Sequence, residues 1–289
     1  MKLLLYAGVL LAGIVLMSFL NFWLAVRPPR IAVPGTPREY RLPSEDVTIE
    51  TRDGIRLAAW LIPRASATRS PAASGDARAI ILLHGYPAEK ADMLPIAAAL
   101  HGELTTLLVD LRYFGRSEGS ATTLGHRERF DIVRAVDVLA ARGFRAVGVF
   151  GYSLGGAVAL LAAAEDPRIR AVVAYAPFSD LRVLGRDVYR IFWIAKYPLV
   201  ELMLAWSRLF LGADISRPSP AMAAARLSIP VLLLASREDE QIPFAHAERL
   251  AEALRNNPRA ELRLGRGLHN DRAPDFERRV AEFFVEHLR

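Results

Sequence analysis

The chain has no cysteine, which excludes a disulfide framework, a thiol nucleophile and any thiolate metal site, and leaves the redox compartment open. Lysine is nearly missing too. Only Lys2, Lys90 and Lys196 occur, so arginine supplies most of the positive charge behind a formal net charge of +6. These arginines do not cluster with interleaved aromatics, so no nucleic-acid face is expected. The basic balance fits, at most, a mild attraction to an anionic membrane surface. There is no internal repeat, no low-complexity tract, no glycine-rich phosphate loop and no His/Asp ligand cluster. No nucleotide site, metal or cofactor is therefore expected.

What the chain does have is apolar residues: 52% of its 289 positions. That is enough for a sizeable core and argues against disorder. Part of this share lies in one uncharged run, Leu3 to Val26, preceded by Lys2 and stopped by Arg27-Pro28-Pro29-Arg30. At about 1.5 Å per residue such a run can cross a hydrocarbon core of roughly 30 Å. It exceeds the apolar stretch of a cleavable signal, and no Ala-x-Ala site follows it. Residues 1–30 are therefore expected to be a retained single-pass anchor, with a cleaved signal and a buried core helix as the other readings. Phe19, Phe22 and Trp23 gather where an aromatic interface belt would lie, and Arg27, Arg30, Arg38 and Arg41 favour a cytoplasmic catalytic domain. The Pro- and Arg-rich residues 31–44 read as an extended linker.

From Glu45 to Arg289 the pattern is that of one α/β domain. Asp46–Thr51 and Ile55–Ile62 flank Asp53-Gly54 and form a hairpin. A surface loop is expected over Arg64–Ala77. Short apolar strands then alternate with helices: Ala79–Leu83, Leu104–Val109, Ala146–Phe150, Ala171–Ala176, Val231–Ala235 and Glu261–Leu264. The expected helices are Ala91–Leu100, Arg127–Ala141, Ala157–Ala164, Phe244–Leu254 and Pro274–Leu288. Such alternation builds a mostly parallel sheet, here of eight strands, covered on both faces. Residues 180–225 break the rhythm. They are too long for a loop and carry Tyr189, Phe192, Trp193, Tyr197, Trp206 and Phe210. They read as a helical cap, either packed structurally on the core or presenting its aromatic face to an apolar substrate or to lipid.

The chain is organised around Val147-Gly148-Val149-Phe150-Gly151-Tyr152-Ser153-Leu154-Gly155-Gly156. An apolar strand runs through Gly-x-Ser-x-Gly into a small-residue helix. The turn between them is tight, its apex residue is strained, and Ser153 stands at a helix N-terminus where developing negative charge is favoured. A serine hydroxyl needs a base, and the base needs an acid that fixes its tautomer. Both should follow the nucleophile at later strand ends, and they do. Val231–Ala235 leads into Ser236-Arg237-Glu238-Asp239-Glu240, and Glu261–Leu264 into Gly265-Arg266-Gly267-Leu268-His269. His269 is the expected base and Asp239 the expected acid. Glu238 and Glu240 compete with Asp239, and Asp180 is a fallback. His101, His126, His246 and His287 fall on helices or helix edges, away from strand tips. The oxyanion needs two N–H donors. Leu154, directly after the serine, supplies one. Tyr86, in His84-Gly85-Tyr86-Pro87, supplies the other, since Pro87 has no N–H. His84 is expected to hold that loop.

Taken together, His84-Gly85-Tyr86-Pro87, Asp110 through Ser117, Gly151-Tyr152-Ser153-Leu154-Gly155-Gly156, Asp239 with Pro243, and His269 resemble the α/β-hydrolase superfamily of serine hydrolases over Glu45–Arg289. Within it, Ala176-Pro177-Phe178-Ser179-Asp180 and His269-Asn270-Asp271 look like the serine aminopeptidase-like and acyl-protein thioesterase-like subgroup, several of whose members are membrane-tethered. The resemblance implies an α/β-hydrolase fold and a hydrolase acting on a small-molecule or lipid-like acyl substrate. It also implies that Asp110–Ser117 is a structural turn. A peptidase on the same triad, or a catalytically silent membrane-tethered binding protein, are the alternatives. Oligomeric state has no signature in the sequence.

Overall fold

Alternate residues of each central strand feed two separate cores. In β3 (Arg78–Leu83), Ala79, Ile81 and Leu83 pack to one side, while Ile80 and Leu82 pack to the other. Both sides of a strand can be apolar only in a sheet covered on both faces. The computed structural model describes residues 1–65 and 77–288, so most of the loop expected over Arg64–Ala77 lies outside the described residues. The hairpin strands are β1 (Glu45–Glu50) and β2 (Arg56–Ile62), turned at Gly54 with φ +78°. After β3 come β4 (Thr105–Val109), β5 (Ala146–Tyr152), β6 (Ile169–Tyr175), β7 (Val231–Ser236) and β8 (Ala260–Gly265). The eight strands lie in the order β1-β2-β4-β3-β5-β6-β7-β8. β2 is antiparallel to β1 and β4, and every later pairing is parallel.

Helices cover both faces as the strand pattern requires. The N-terminal α1 (Lys2–Val26) comes first, and α2 (Leu94–Leu100) follows β3. The helix expected from Ala91 starts later, because Pro95 in its first turn lacks an N–H, and Lys90–Met93 winds as a 3₁₀ turn. Next come α3 (Glu128–Ala141) and α4 (Leu154–Glu165). The cap comprises α5 (Leu181–Val188), a 3₁₀ segment Arg190–Ala195 and α6 (Lys196–Leu211). It leads to α7 (Pro220–Ala224), and α8 (Ala245–Ala253) and α9 (Phe276–His287) close the chain. α3, α4, α7 and α8 pack on one face, α2 and α9 on the other.

Residues 31–44 do not form a free tether. Leu42 is buried, the Val33 amide donates to Glu89, and a turn at residues 37–41 folds the segment against the domain. Nor does α1 stand apart. Ser18, Phe22 and Val26, on one face at i, i+4 spacing, are buried, and Phe22 and Val26 pack against Met203, Trp206 and Leu211. The Trp206 indole donates to Ser18 Oγ and the Tyr189 hydroxyl to Asn21 Oδ1, both at 3.0 Å.

Candidate active site

β5 ends and α4 begins with no loop between them. Ser153 sits at the apex with φ +51° and ψ −112°, a backbone state that is strained for any residue with a Cβ. Glycines on either side make this possible. A Cβ on Gly151 would lie 2.1 Å from the Gly155 carbonyl oxygen, and one on Gly155 would lie 2.5 Å from that of Leu83. The elbow therefore presses on the end of β3. One residue further, a Cβ on Gly85 would come 2.8 Å from the Tyr152 ring and 3.4 Å from Ser153 Cβ. The His84–Pro87 loop thus lies directly against the serine. His84 is buried and held at both ring nitrogens: Nδ1 meets the Gly85 carbonyl at 2.7 Å and Nε2 accepts the Leu111 amide at 3.0 Å. With Nδ1 as donor and Nε2 as acceptor the ring is neutral, and burial pushes its pKa down. Leu154, as the first residue of α4, keeps its amide free of the helix's own bonding and beside Ser153.

The other two residues come from neighbouring loops. Asp239 Oδ2 lies 2.7 Å from His269 Nδ1, and both side chains are 4% exposed. Its other oxygen accepts the Gln241 and Ile242 amides, which fixes the carboxylate. Such an acid holds the imidazole with a proton on Nδ1 and leaves Nε2 as the basic nitrogen. Glu238 and Glu240, the expected competitors, clasp the histidine loop from outside: Glu238 accepts the Gly267 amide and Glu240 the His269 amide, each at 2.8 Å. The second bond holds the Glu240 carboxyl below its ordinary pKa. Asp180 caps α5, accepting the Arg182 and Val183 amides, and takes no part in the constellation. His246 is buried against Ser179 and Asp187, away from Asp239. Tyr86 has an exposed ring whose hydroxyl donates to the Ala25 carbonyl of α1 at 3.1 Å, and burial of that hydroxyl raises its pKa to about 12.

Two tyrosines to which the sequence assigned no role complete the arrangement. Tyr152 and Tyr175 end β5 and β6, pair in register, and stack with ring centroids 5.2 Å apart. The Tyr152 hydroxyl donates to the His269 carbonyl at 2.9 Å, and its ring lies 5.1 Å from the imidazole. The Tyr175 hydroxyl donates to the Asp271 carbonyl at 2.5 Å. The available signal was a tyrosine closing each of two strands, readable only once those strands are known to be neighbours. The turn after β4 is likewise built on one buried carboxylate. Asp110 accepts the Lys90 amide and ammonium and the Arg116 amide. Among the described residues no three His, Asp or Glu side chains converge as metal ligands.

A profile of the alpha/beta hydrolase family matches residues 80–288, which hold the elbow, the acid loop and the histidine loop. The chain belongs to the alpha/beta hydrolase family. It is similar, at 30% identity over 236 residues, to an uncharacterized protein of Mycobacterium tuberculosis, covering 78% of this chain and 72% of that one. The alpha/beta hydrolase domain-containing protein WAV2 of Arabidopsis thaliana is 24% identical over 290 residues, which cover 92% of this chain and 86% of WAV2. Among solved alpha/beta hydrolase structures, the Pyrococcus furiosus esterase Pf2001 superposes with a TM-score of 0.73 at 25% identity, covering 91% of this chain and all of that one (100%).

Proposed function

We propose that this alpha/beta hydrolase is a membrane-anchored serine hydrolase that cleaves carboxylic esters or thioesters through an acyl-enzyme. The observation that carries the reading is the buried Asp239–His269 contact of 2.7 Å, whose imidazole lies with its ring centroid 5.1 Å from that of Tyr152, the residue directly before the serine at φ +51°. In this reading His269 Nε2 takes the Ser153 proton as Oγ attacks the acyl carbonyl. The amides of Leu154 and Tyr86 receive the oxyanion. The proton then goes from His269 to the departing alcohol or thiol, and a water deprotonated by His269 releases the acid. The likeness to a protein named an esterase favours esters over peptides. The finer likeness, to the serine aminopeptidase-like and acyl-protein thioesterase-like subgroup, belongs to this proposal as well.

Anchoring by α1 is supported by the length and hydropathy of its apolar segment Leu4–Val26 (mean hydropathy 2.3). Retention, rather than removal as a signal, is supported by what grips its end. The Tyr86 hydroxyl, the Thr122 amide and the Tyr113 hydroxyl donate to the carbonyls of Ala25, Val26 and Pro28. The test is hydrolysis of p-nitrophenyl esters of increasing chain length by the full chain and by Ser153→Ala, with fluorophosphonate labelling alongside. The expected result is a labelled, active parent and an unlabelled variant slower by at least about a thousandfold. An alanine variant that labels and hydrolyses like the parent overturns the ester-hydrolase reading.

A further inference from the structure

The length of α1 does not match the thickness it has to cross. Every described side chain over residues 2–13 is exposed, whereas partial burial against the domain begins at Ile14. At 1.5 Å per residue the free part spans about 18 Å, against a hydrocarbon core of roughly 30 Å. The missing depth must come from residues of α1 that run beside the cap, where Trp206 meets Ser18 and Phe19, and Phe210 meets Phe19 and Phe22. Wherever those turns of α1 lie in the bilayer, the cap lies with them.

The outer face of the cap has the composition that this position demands. In and around the 3₁₀ segment, Val188, Ile191, Trp193, Ile194 and Tyr197 are exposed at 58%, 84%, 76%, 60% and 48%. Single exposed apolar residues need no explanation, but this many in ten consecutive positions form a patch. The patch starts at the level of Asn21, because the Tyr189 hydroxyl bonds Asn21 Oδ1. The side of α1 turned away from the domain is apolar and exposed as well, at Leu16, Leu20 and Leu24. Cations stack on aromatic rings on both elements: Arg27 over Trp23 at 3.6 Å at the end of α1, and Lys196 over Tyr197 at 5.3 Å at the start of α6. Aromatic rings paired with snorkelling cations are the composition of a membrane–water interface.

We propose that the lipid bilayer around α1 is also the partner of the cap, and that the 3₁₀ segment Arg190–Ala195 and the outer side of α6 are submerged in it beside the anchor. The catalytic domain then lies against the membrane, with the cap as its contact face. The substrate class follows from this placement: an ester or thioester dissolved in the bilayer, delivered along the cap instead of through water. The proposal rests on the anchor reading above, and the test separates the two.

The absence of cysteine makes every introduced cysteine unique. Three single variants of the full chain, Leu10→Cys, Trp193→Cys and Asn256→Cys, are labelled with an environment-sensitive fluorophore and reconstituted into phosphatidylcholine vesicles. All three positions are exposed, so the substitutions leave the core untouched. Quenching is read with nitroxide-bearing lipid and with aqueous iodide. The expected result is a blue-shifted label at residues 10 and 193 that loses most of its emission to nitroxide lipid and little to iodide, with the reverse at residue 256. A residue-193 label quenched by iodide and indifferent to nitroxide lipid, while residue 10 stays lipid-quenched, overturns the proposal and spares the anchor. A residue-193 label shielded from both quenchers means that protein covers the patch, and also overturns it. Loss of lipid quenching at residue 10 removes the anchor reading and the proposal together.

Discussion

Asp239 meets His269 through one oxygen and two backbone amides through the other, so its charge and its direction are both fixed. Asp239→Asn keeps the shape and loses the preference for the catalytic tautomer. Activity is expected to fall by about three to four orders of magnitude, with little change in fluorophosphonate-free stability, measured as kcat on a p-nitrophenyl ester. Tyr152→Phe makes a different cut. It removes the hydroxyl shared between the His269 carbonyl and Asn270 Oδ1, and leaves the buried carbonyl only the Tyr175 hydroxyl at 3.5 Å, at a cost of about 1–3 kcal/mol. A lower Tm and a kcat loss smaller than that of Asp239→Asn are expected. Equal losses in the two variants would make Tyr152 part of the chemistry instead of a support for the histidine loop. The positions of Ser153, Asp239 and His269 at three strand ends could be read from the chain because each follows its own strand at a local spacing. Tyr152 and Tyr175 could not, because their role depends on β5 and β6 being adjacent, and Glu238 and Glu240 could be told from Asp239 only by which group of the His269 loop each one reaches.

The cap is tied to the domain by a histidine. His246, on α8, is fully buried. The Ser179 amide and hydroxyl reach its Nδ1 at 3.0 and 2.8 Å, and Nε2 meets Asp187 of α5 at 3.1 Å. Nδ1 accepts, so Nε2 carries the proton and the ring is neutral. Burial pushes its pKa down, against the attraction of Asp187 and in concert with Arg249. The unfolded chain therefore takes up a proton near the ordinary histidine value of about 6.5, where the folded chain does not. Stability from this group is present above that pH and declines as pH falls toward the depressed folded value, by at most about 1.4 kcal/mol per pH unit. Thermal melts from pH 7.5 to 5 should show a shallower acid limb for His246→Gln than for the parent. His84, buried in the same sense, keeps some slope in both. Coincident slopes would mean that His246 titrates alike in the folded and unfolded chain. Most of the strands and helices were legible because two-sided apolar strands alternating with helices leave little choice of architecture. The cap was legible only as a helical region: an aromatic set at mixed spacing does not say which residues face α1 and which face outward.

At the scale of the molecule, α1 had three readings, a retained span, a cleaved signal or a buried core helix, and the structure shows an exposed apolar first half followed by turns packed on the domain. Its last turns cover Met203, Trp206 and Leu211 and supply acceptors to Tyr86 and Thr122, and Pro28 just beyond it accepts from Tyr113. A chain beginning at Ile31 is therefore expected to leave the membrane pellet yet to self-associate and melt lower than the full chain, by light scattering on a sizing column and by thermal melt. A monomer with an unchanged Tm would mean that α1 adds nothing to the domain. The bond from the Tyr86 hydroxyl to Ala25 has a mechanical side as well. The residue that grips the end of α1 is the one whose amide is proposed to receive the oxyanion, so the tilt of α1 in the proposed anchoring is coupled to the position of that amide. On the proposed anchoring, lipid acyl length would set that tilt, and turnover is expected to change with bilayer thickness without any substitution in the catalytic pocket.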